Sequence, residues 1–310
     1  MKKILIIDDM HDSITAMLHK IGFEADYQPF VTREQIMEAP DLYVGMIVRS
    51  KTTIDAELLS TKPSVKFIGR AGAGIDQLEV SYIHEHGIQI LNAPEGNRDA
   101  LGEHVLGMLL SLSNNLVRAN REVKSYIWDR EGNRGFELSG KTIALLGYGH
   151  MGSAVAEKLA GFGCRVIAYD ISKTNFTDLY VEEVSMEDIF EQADIFSLHV
   201  PLTDHTRNLV DADYLQQFKK NIVLINAARG EVVVTKDLLQ AMQSGKVTHA
   251  GLDVLENEKF TKLTAEQKQT YDALFAMDRV LVSPHVGGWS YESYQNINRV
   301  LVDKIAKLDL

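Results

Sequence analysis

Short apolar runs, each closed by an abrupt change to polar residues, recur along this chain. In the second half NIVLINAARG, HAGLDVLENE and RVLVSPHVGG all follow that rule. A run of this kind reads as a buried parallel strand ending in a turn. In the first lobe the pattern predicts strands at 3–7, 24–28, 45–48, 66–68 and 89–91, with helices such as 13–21 and 55–59 between them. A long amphipathic helix is expected over 99–124, with Asp99 as its N-cap, because a carboxylate there accepts from the orphan amides of the first turn. A polar stretch, 128–140, follows. Strands are then expected at 142–146, 165–169, 195–199, 222–226, 249–253 and 280–283, and a closing helix at 291–310. Strands alternating with helices give an α/β fold with parallel sheets. Two such blocks predict two Rossmann-like lobes, each a doubly wound parallel sheet, with a cleft between them as the usual place for a ligand.

Composition narrows the partners. A chain of 310 residues is long for one domain and comfortable for two. Its 45% hydrophobic and 24% charged residues are ordinary for a globular protein. A net charge of -11, with no basic run, argues against nucleic acid and anionic membrane as partners. The single Cys164 excludes an internal disulfide and a cysteine metal cluster, and points to a reducing cytoplasm. MKKILIIDD reads as a first strand rather than a signal peptide. The apolar segment 100–117 carries Glu103, His104 and Asn114, so it reads as a core helix and not a membrane span. No metal site is expected, since no His/Asp/Glu cluster has ligand spacing; His84 and His86 would not share a helix face.

Gly147, Gly149 and Gly152 fit G-x-G-x-x-G, between the strand TIALL and a helix predicted over 151–161. Each glycine then has a use: the tight turn, the close approach of backbone to pyrophosphate, and helix–strand contact. His150 and Met151 sit at the helix N-terminus, whose amides and partial positive charge favour phosphate. The next strand ends in Asp170, 18 residues beyond Gly152. A carboxylate there accepts from a ribose 2′-OH and repels a 2′-phosphate, so NAD is expected over NADP; Lys173 is the one nearby cation that would blur this. A second glycine run, GRAGAGID, has Gln77 where a third glycine would be. It is a poor pyrophosphate loop, but clustered backbone amides in a tight loop can hold a small anion such as a carboxylate. Arg70 in that loop, and Arg49 with Ser50 after another strand, would add charge and polarity.

Arg229, Glu258 and His285 each lie just past one of the three late strands. Ligands bind outside the carboxyl ends of parallel strands, so the three would converge. Reduction of a 2-keto acid needs a polarised carbonyl, an anchored carboxylate and a proton for the new alkoxide. Arg229 can serve the first two with its forked donors. His285 can give the proton, and Glu258 can orient the imidazole and favour its charged form.

Taken together, the chain resembles the D-isomer-specific 2-hydroxyacid dehydrogenase family over nearly its whole length, and most of all its phosphoglycerate-oxidising members. The matching segments are IVRSKTTIDAELL, VKFIGRAGAGID, NAPEGNRDALGEHVLGMLL, GKTIALLGYGHMG, HVPLTDHTRNLV, INAARGEVV, AGLDVLENE and SPHVGG. The resemblance implies acid/base work for His285, support from Glu258 and substrate binding by Arg229. It implies that Ala227 and Asp253 line the nicotinamide pocket, with His199, Val200, Pro201, Thr206, Arg229, His285 and Gly287 also on the cofactor. It places the substrate carboxylate on Ala73 and Gly74, and its far end near Arg49, Ser50 and Arg70. The domains implied are 1–98 plus 286–310 for substrate and 99–285 for NAD. A homodimer through the nucleotide lobe is implied, with Trp128 and Arg130 near the partner, and lobe closure with hinges near 94–99 and 284–288.

Departures from the family pattern also stand out. Lys259 replaces the usual proline after the acidic residue, and 259–277 is longer and more polar than its counterparts. The chain reaches Leu310 with no regulatory domain in view, so feedback by serine is not expected. The substrate expected is a small 2-hydroxy or 2-keto acid, phosphorylated if Arg49 and Arg70 act as a pair. Hydroxypyruvate or glyoxylate is the alternative, and a non-catalytic NAD sensor is the alternative of another class.

Overall fold

A computed structural model describes all 310 residues. They form two compact units, Met1–Arg98 with Trp289–Leu310, and Asp99–Gly288. The second crossing thus falls at Gly288/Trp289, three residues beyond the boundary expected at 286. No helix is long and apolar enough to cross a membrane.

The first unit carries strands β1 (Lys2–Ile6), β2 (Phe23–Tyr27), β3 (Tyr43–Val48), β4 (Phe67–Arg70) and β5 (Gln89–Asn92). Helices α1 (Ser13–Lys20), α2 (Arg33–Glu38), α3 (Ala56–Ser60) and α4 (Val80–Glu85) link them. All pairings are parallel, in the order β2-β1-β3-β4-β5. The order reverses beside β1, so the carboxyl ends of β1 and β3 flank the crevice of this sheet. Asp8, Asp9 and Arg49 follow directly from those two ends. Ile4, Ile6 and Ile47 bury one sheet face; Leu5, Met46 and Val48 bury the other. The short helices were the least legible in sequence, because six residues show too little of the helical period.

The second unit opens at Asp99, within α5 (Arg98–Ser113), and α6 (Leu116–Lys124) follows. The single helix expected over 99–124 is therefore two. The chain breaks at Asn115, which takes a left-handed conformation (φ 51°) that asparagine tolerates better than most residues. Asp99 also proves to lie inside the first turn of α5 rather than at its cap. The unit continues with β6 (Thr142–Leu146), α7 (His150–Leu159), β7 (Arg165–Tyr169), β8 (Glu182–Glu183), α8 (Met186–Gln192), β9 (Ile195–Leu198), α9 (Ala212–Gln217), β10 (Ile222–Asn226), α10 (Thr235–Ser244), β11 (Val247–Leu252), α11 (Ala265–Phe275) and β12 (Val280–Val282). Its sheet is parallel, ordered β12-β11-β10-β9-β6-β7-β8, with the reversal between β6 and β9. The long 259–277 stretch is mostly α11, started by a capping box in which Thr264 and Gln267 satisfy each other's amides.

The chain ends in α12 (Tyr291–Ile305), which belongs to the first unit. Ser290 caps it, and Ile297, Leu301 and Ile305 bury its inner face. Gly96 lies flat against this helix: a Cβ there would sit 2.7 Å from the Ile297 backbone. Backbone cannot yield as a side-chain tip can, so Gly96→Ala is expected to lower stability by about 1–3 kcal/mol. A denaturant midpoint unchanged from wild type would refute this close docking.

Candidate active site

Three strand ends build the centre of the second unit. After β10 the chain turns sharply, with Asn226 Nδ2 donating to the Arg229 carbonyl (2.9 Å) and the Ala228 amide donating to Asn226 Oδ1 (3.1 Å). Gly230 allows the next contact: a Cβ there would fall 2.0 Å from the Leu255 backbone. Only glycine lets the loop after β10 lie against the loop after β11. The Thr235 amide donates to Glu256 Oε2 (3.1 Å) and closes the same junction. Arg229 and Glu258 are therefore carried on two loops in direct backbone contact.

His285 follows β12. Its backbone is left-handed (φ 55°), uncommon outside glycine, and its amide donates to the Asp253 carbonyl at 2.8 Å and to the Ser283 carbonyl at 3.0 Å. Strain of this kind persists where the surroundings over-determine it, as functional sites often do. The imidazole Nδ1 lies 3.0 Å from Glu258 Oε1 and 3.1 Å from Oε2. That contact raises the His285 pKa; partial burial and the nearby Arg229 charge work against it. Nε2 is the ring nitrogen left to face a substrate.

Under this pair lies Asp253, 2% exposed. Its Oδ1 accepts from Ser283 Oγ (2.7 Å) and the Val286 amide (2.9 Å), and lies 3.3 Å from His104 Nε2. Its Oδ2 accepts from the Gly287 amide at 2.8 Å. Burial would push this carboxyl up; the hydrogen bonds outweigh it and bring the pKa down to about 2. Gly287 is held so close that a Cβ would meet Asp253 Oδ2 at 2.8 Å. His104, on α5, also lies 3.0 Å from Ser283 Oγ. In the sequence His104 reads only as a polar residue of a core helix, and nothing local marks it as a partner of Asp253 and Ser283. A depression of about 370 Å³ is lined by Asp253, Glu258 and His285 and by apolar Leu255, Phe260 and Phe275.

The glycine loop follows β6. Gly147 has φ 94°, and a Cβ on it would meet the His199 carbonyl at 2.8 Å. A Cβ on Gly152 would sit 2.1 Å from the Gly147 carbonyl. Around Gly149 there is open space, and no side chain caps α7, which starts at His150. An uncapped helix start behind an open glycine fits a dinucleotide pyrophosphate. The Asp170 carboxylate accepts from the amides of Tyr148 (2.8 Å), Ser172 (2.8 Å) and Lys173 (3.1 Å), so it is fixed beside the loop. Lys173 Nζ donates to the Tyr148 carbonyl (2.8 Å), which ties the one nearby cation into the same turn.

Other residues singled out in the sequence take more varied positions. His199 is buried, 2.9 Å from Ser197 Oγ through Nε2, and burial pushes its pKa down to about 3, so it stays neutral. Val200 is partly buried and Pro201 exposed, while the Thr206 hydroxyl donates to the Pro201 carbonyl (2.7 Å) within their own turn. Met151 is half-buried, and Ala227 is buried at the end of β10. Arg49, Ser50, Arg70, Ala73 and Gly74 belong to the first unit. There the Arg49 amide donates to Asp8 Oδ2 (2.6 Å), and Gln77 Nε2 donates to the Arg49 carbonyl. Gln77, the residue that spoils the second glycine fingerprint, is thus a brace for Arg49. Asn92 Nδ2 holds the Ala73 carbonyl at 2.8 Å.

The family model described as D-isomer specific 2-hydroxyacid dehydrogenase, NAD binding domain, matches residues 106–287. The chain belongs to this family. Its second unit is the NAD-binding domain, and NAD is the cofactor. A hydroxypyruvate reductase of Thermotoga maritima is 35% identical over 306 residues, covering 98% of this chain and 97% of that protein. A D-3-phosphoglycerate dehydrogenase of Archaeoglobus fulgidus is 30% identical over 308 residues, but this chain spans only 57% of its length. Among solved structures, a D-lactate dehydrogenase from Aquifex aeolicus, complexed with NAD and lactic acid, superimposes with a TM-score of 0.83 at 26% identity, covering 98% of this chain and 94% of that one.

Replacing Glu258 by glutamine removes the charge that raises the His285 pKa. The imidazole is expected to titrate at lower pH in Glu258→Gln than in wild type, measured by histidine NMR. Identical titrations would show that Glu258 does not govern His285.

Proposed function

We propose that the protein interconverts a three-carbon D-2-hydroxy acid and its 2-keto acid, with 3-phosphoglycerate and 3-phosphohydroxypyruvate as the pair. The His285–Glu258 contact, with Arg229 close enough to oppose protonation of the imidazole, is the observation that carries the chemistry. In reduction, Arg229 holds the substrate carboxylate and polarises the keto oxygen. His285, kept protonated by Glu258, gives its proton to that oxygen as the alkoxide forms. In oxidation the same imidazole takes the hydroxyl proton. Bound NAD supplies or accepts the hydride. Gly147, Gly149, His150, Met151 and Gly152 would hold its pyrophosphate, and Asp170 its ribose. His199, Val200, Pro201 and Thr206 would wall the cofactor, with Ala227, Asp253 and Gly287 beside the nicotinamide.

The amides of Ala73 and Gly74 are assigned to the substrate carboxylate, and Arg49, Ser50 and Arg70 to its far end. Two arginines there favour a phosphoryl group. The second reading, hydroxypyruvate itself, is favoured by the Thermotoga maritima relative, which matches end to end. NADH oxidation with 3-phosphohydroxypyruvate, hydroxypyruvate and glyoxylate side by side separates the two. A kcat/KM preference for the phosphorylated acid supports the first reading; preference for an unphosphorylated one replaces it.

His285→Asn is expected to lose roughly two or more orders of magnitude in rate through the missing proton transfer. Undiminished activity would remove His285 from the proton transfer and defeat the triad. Reduction needs protonated His285, so its rate should fall as pH rises through the raised His285 pKa. In Glu258→Gln that fall should move to lower pH; a coincident pH profile would remove Glu258 from the mechanism.

A homodimer is proposed on different grounds. No residue of α6 is buried, and Leu116, Val117, Val123, Ile127 and Trp128 are exposed. Several large apolar side chains left exposed on one helix and the segment after it favour an association surface. Light scattering is expected to give twice the chain mass for wild type and the single chain mass for Val117→Glu with Val123→Glu. A monomeric wild type would end this proposal.

A further inference from the structure

In the first unit, Arg49 is packed unlike any other arginine of the chain. Its guanidinium carbon lies 4.3 Å from the centre of the Trp289 ring and 5.0 Å from that of Tyr294. Both rings come from the return of the chain into this unit, just before and within α12. A guanidinium offers five N–H donors. The one hydrogen bond it makes here is long, Nη1 to the Asp9 carbonyl at 3.4 Å. Burial pulls the Arg49 pKa down, opposed by Tyr294, Asp8 and Asp9, yet the group stays charged, as arginine does in proteins.

The neighbouring acids are committed elsewhere. Asp8 Oδ2 accepts the Arg49 backbone amide at 2.6 Å. Asp9 takes the Tyr294 hydroxyl on Oδ2 at 2.5 Å and the Tyr27 hydroxyl on Oδ1 at 3.1 Å. His11 meets the Tyr294 ring edge-on and directs its Nδ1 at Ser13 Oγ, 3.0 Å away. Asp9 therefore fixes the aromatic ring that stacks on Arg49, and neither acid neutralises the guanidinium by direct hydrogen bonding. Trp289 keeps 62% of its surface exposed, so the stack is open on that side. Aromatic rings hold the plane of the cation and leave its N–H edge as the outlet. A fixed planar fork of donors suits a tetrahedral or planar oxyanion.

We propose that Trp289 and Tyr294 form an aromatic clamp that presents Arg49 as the receptor for a second anionic group, at the substrate end away from the reacting carbon. This rests on the 2-keto acid reading above and deepens it. Trp289 and Tyr294 become specificity-determining residues, which select a phosphorylated acid over glyoxylate by positioning a cation rather than by touching the reacting atoms. The chain has two tryptophans, so Trp128→Phe leaves Trp289 as the only indole reporter.

In that background, inorganic phosphate is titrated and tryptophan fluorescence followed, with no turnover involved. A saturable change that vanishes on adding Arg49→Gln is expected. No change, or one that persists without Arg49, overturns the clamp. In assays, Trp289→Leu is expected to lower the kcat/KM ratio of 3-phosphohydroxypyruvate over glyoxylate by roughly five- to thirty-fold, the range of a partly desolvated cation–π contact. Trp289→Phe, which keeps a ring, should restore most of it. An unchanged ratio in Trp289→Leu overturns the specificity role. Wild type inactive on every keto acid would defeat the dehydrogenase reading, while the phosphate titration would still decide on the clamp.

Discussion

The buried carboxylate of Asp253 is the constraint on which the candidate site depends. An anion 2% exposed is tolerable only if its lone pairs are answered, and here Ser283, His104 and the amides of Val286 and Gly287 answer them. Those donors come from α5 and from the turn after β12, so one acid locks two elements together at the end of β11. The same residue's carbonyl accepts the His285 amide and holds that residue in its left-handed backbone. The direction in which the imidazole leaves the chain, and hence its reach to Glu258, follows from Asp253: its carbonyl holds the His285 amide and its carboxylate holds the next two amides, of Val286 and Gly287.

Glycine supplies the complementary constraint. Gly230, Gly287 and Gly152 each lie where a Cβ would collide with polar backbone or with Asp253. They set how close the strand-end loops and the dinucleotide turn come to their neighbours. Rigid loops at the carboxyl ends of a parallel sheet make positioning possible without strain in the strands themselves.

Asp253 and Arg49 illustrate opposite ways of burying a charge. Asp253 has donors on both of its oxygens, so its role is to hold structure. Arg49 packs beside two aromatic rings and keeps most of its donors uncommitted, so it is suited to meet something else. The distinction lies in hydrogen-bond supply rather than in burial, and it separates a scaffold charge from a recognition charge.

Much of this was legible in the sequence. Buried parallel strands are continuous apolar runs, so their carboxyl ends are visible wherever polarity returns, and Arg229, Glu258 and His285 stand at three such ends. The glycine fingerprint is legible because pyrophosphate demands close backbone approach. Other features depend on partners distant in sequence. The break at Asn115 is invisible to periodicity because both halves are helical. α11 was masked by its polar exposed face, though the Thr264/Gln267 box marked its start. His104 meets Ser283 across 179 positions, and Trp289 meets Arg49 from the far end of the chain. Local spacing determines which residues stand at strand ends. Only tertiary packing decides which buried charge finds donors and which cation is left for a ligand, because desolvation and hydrogen-bond supply are properties of neighbours in space.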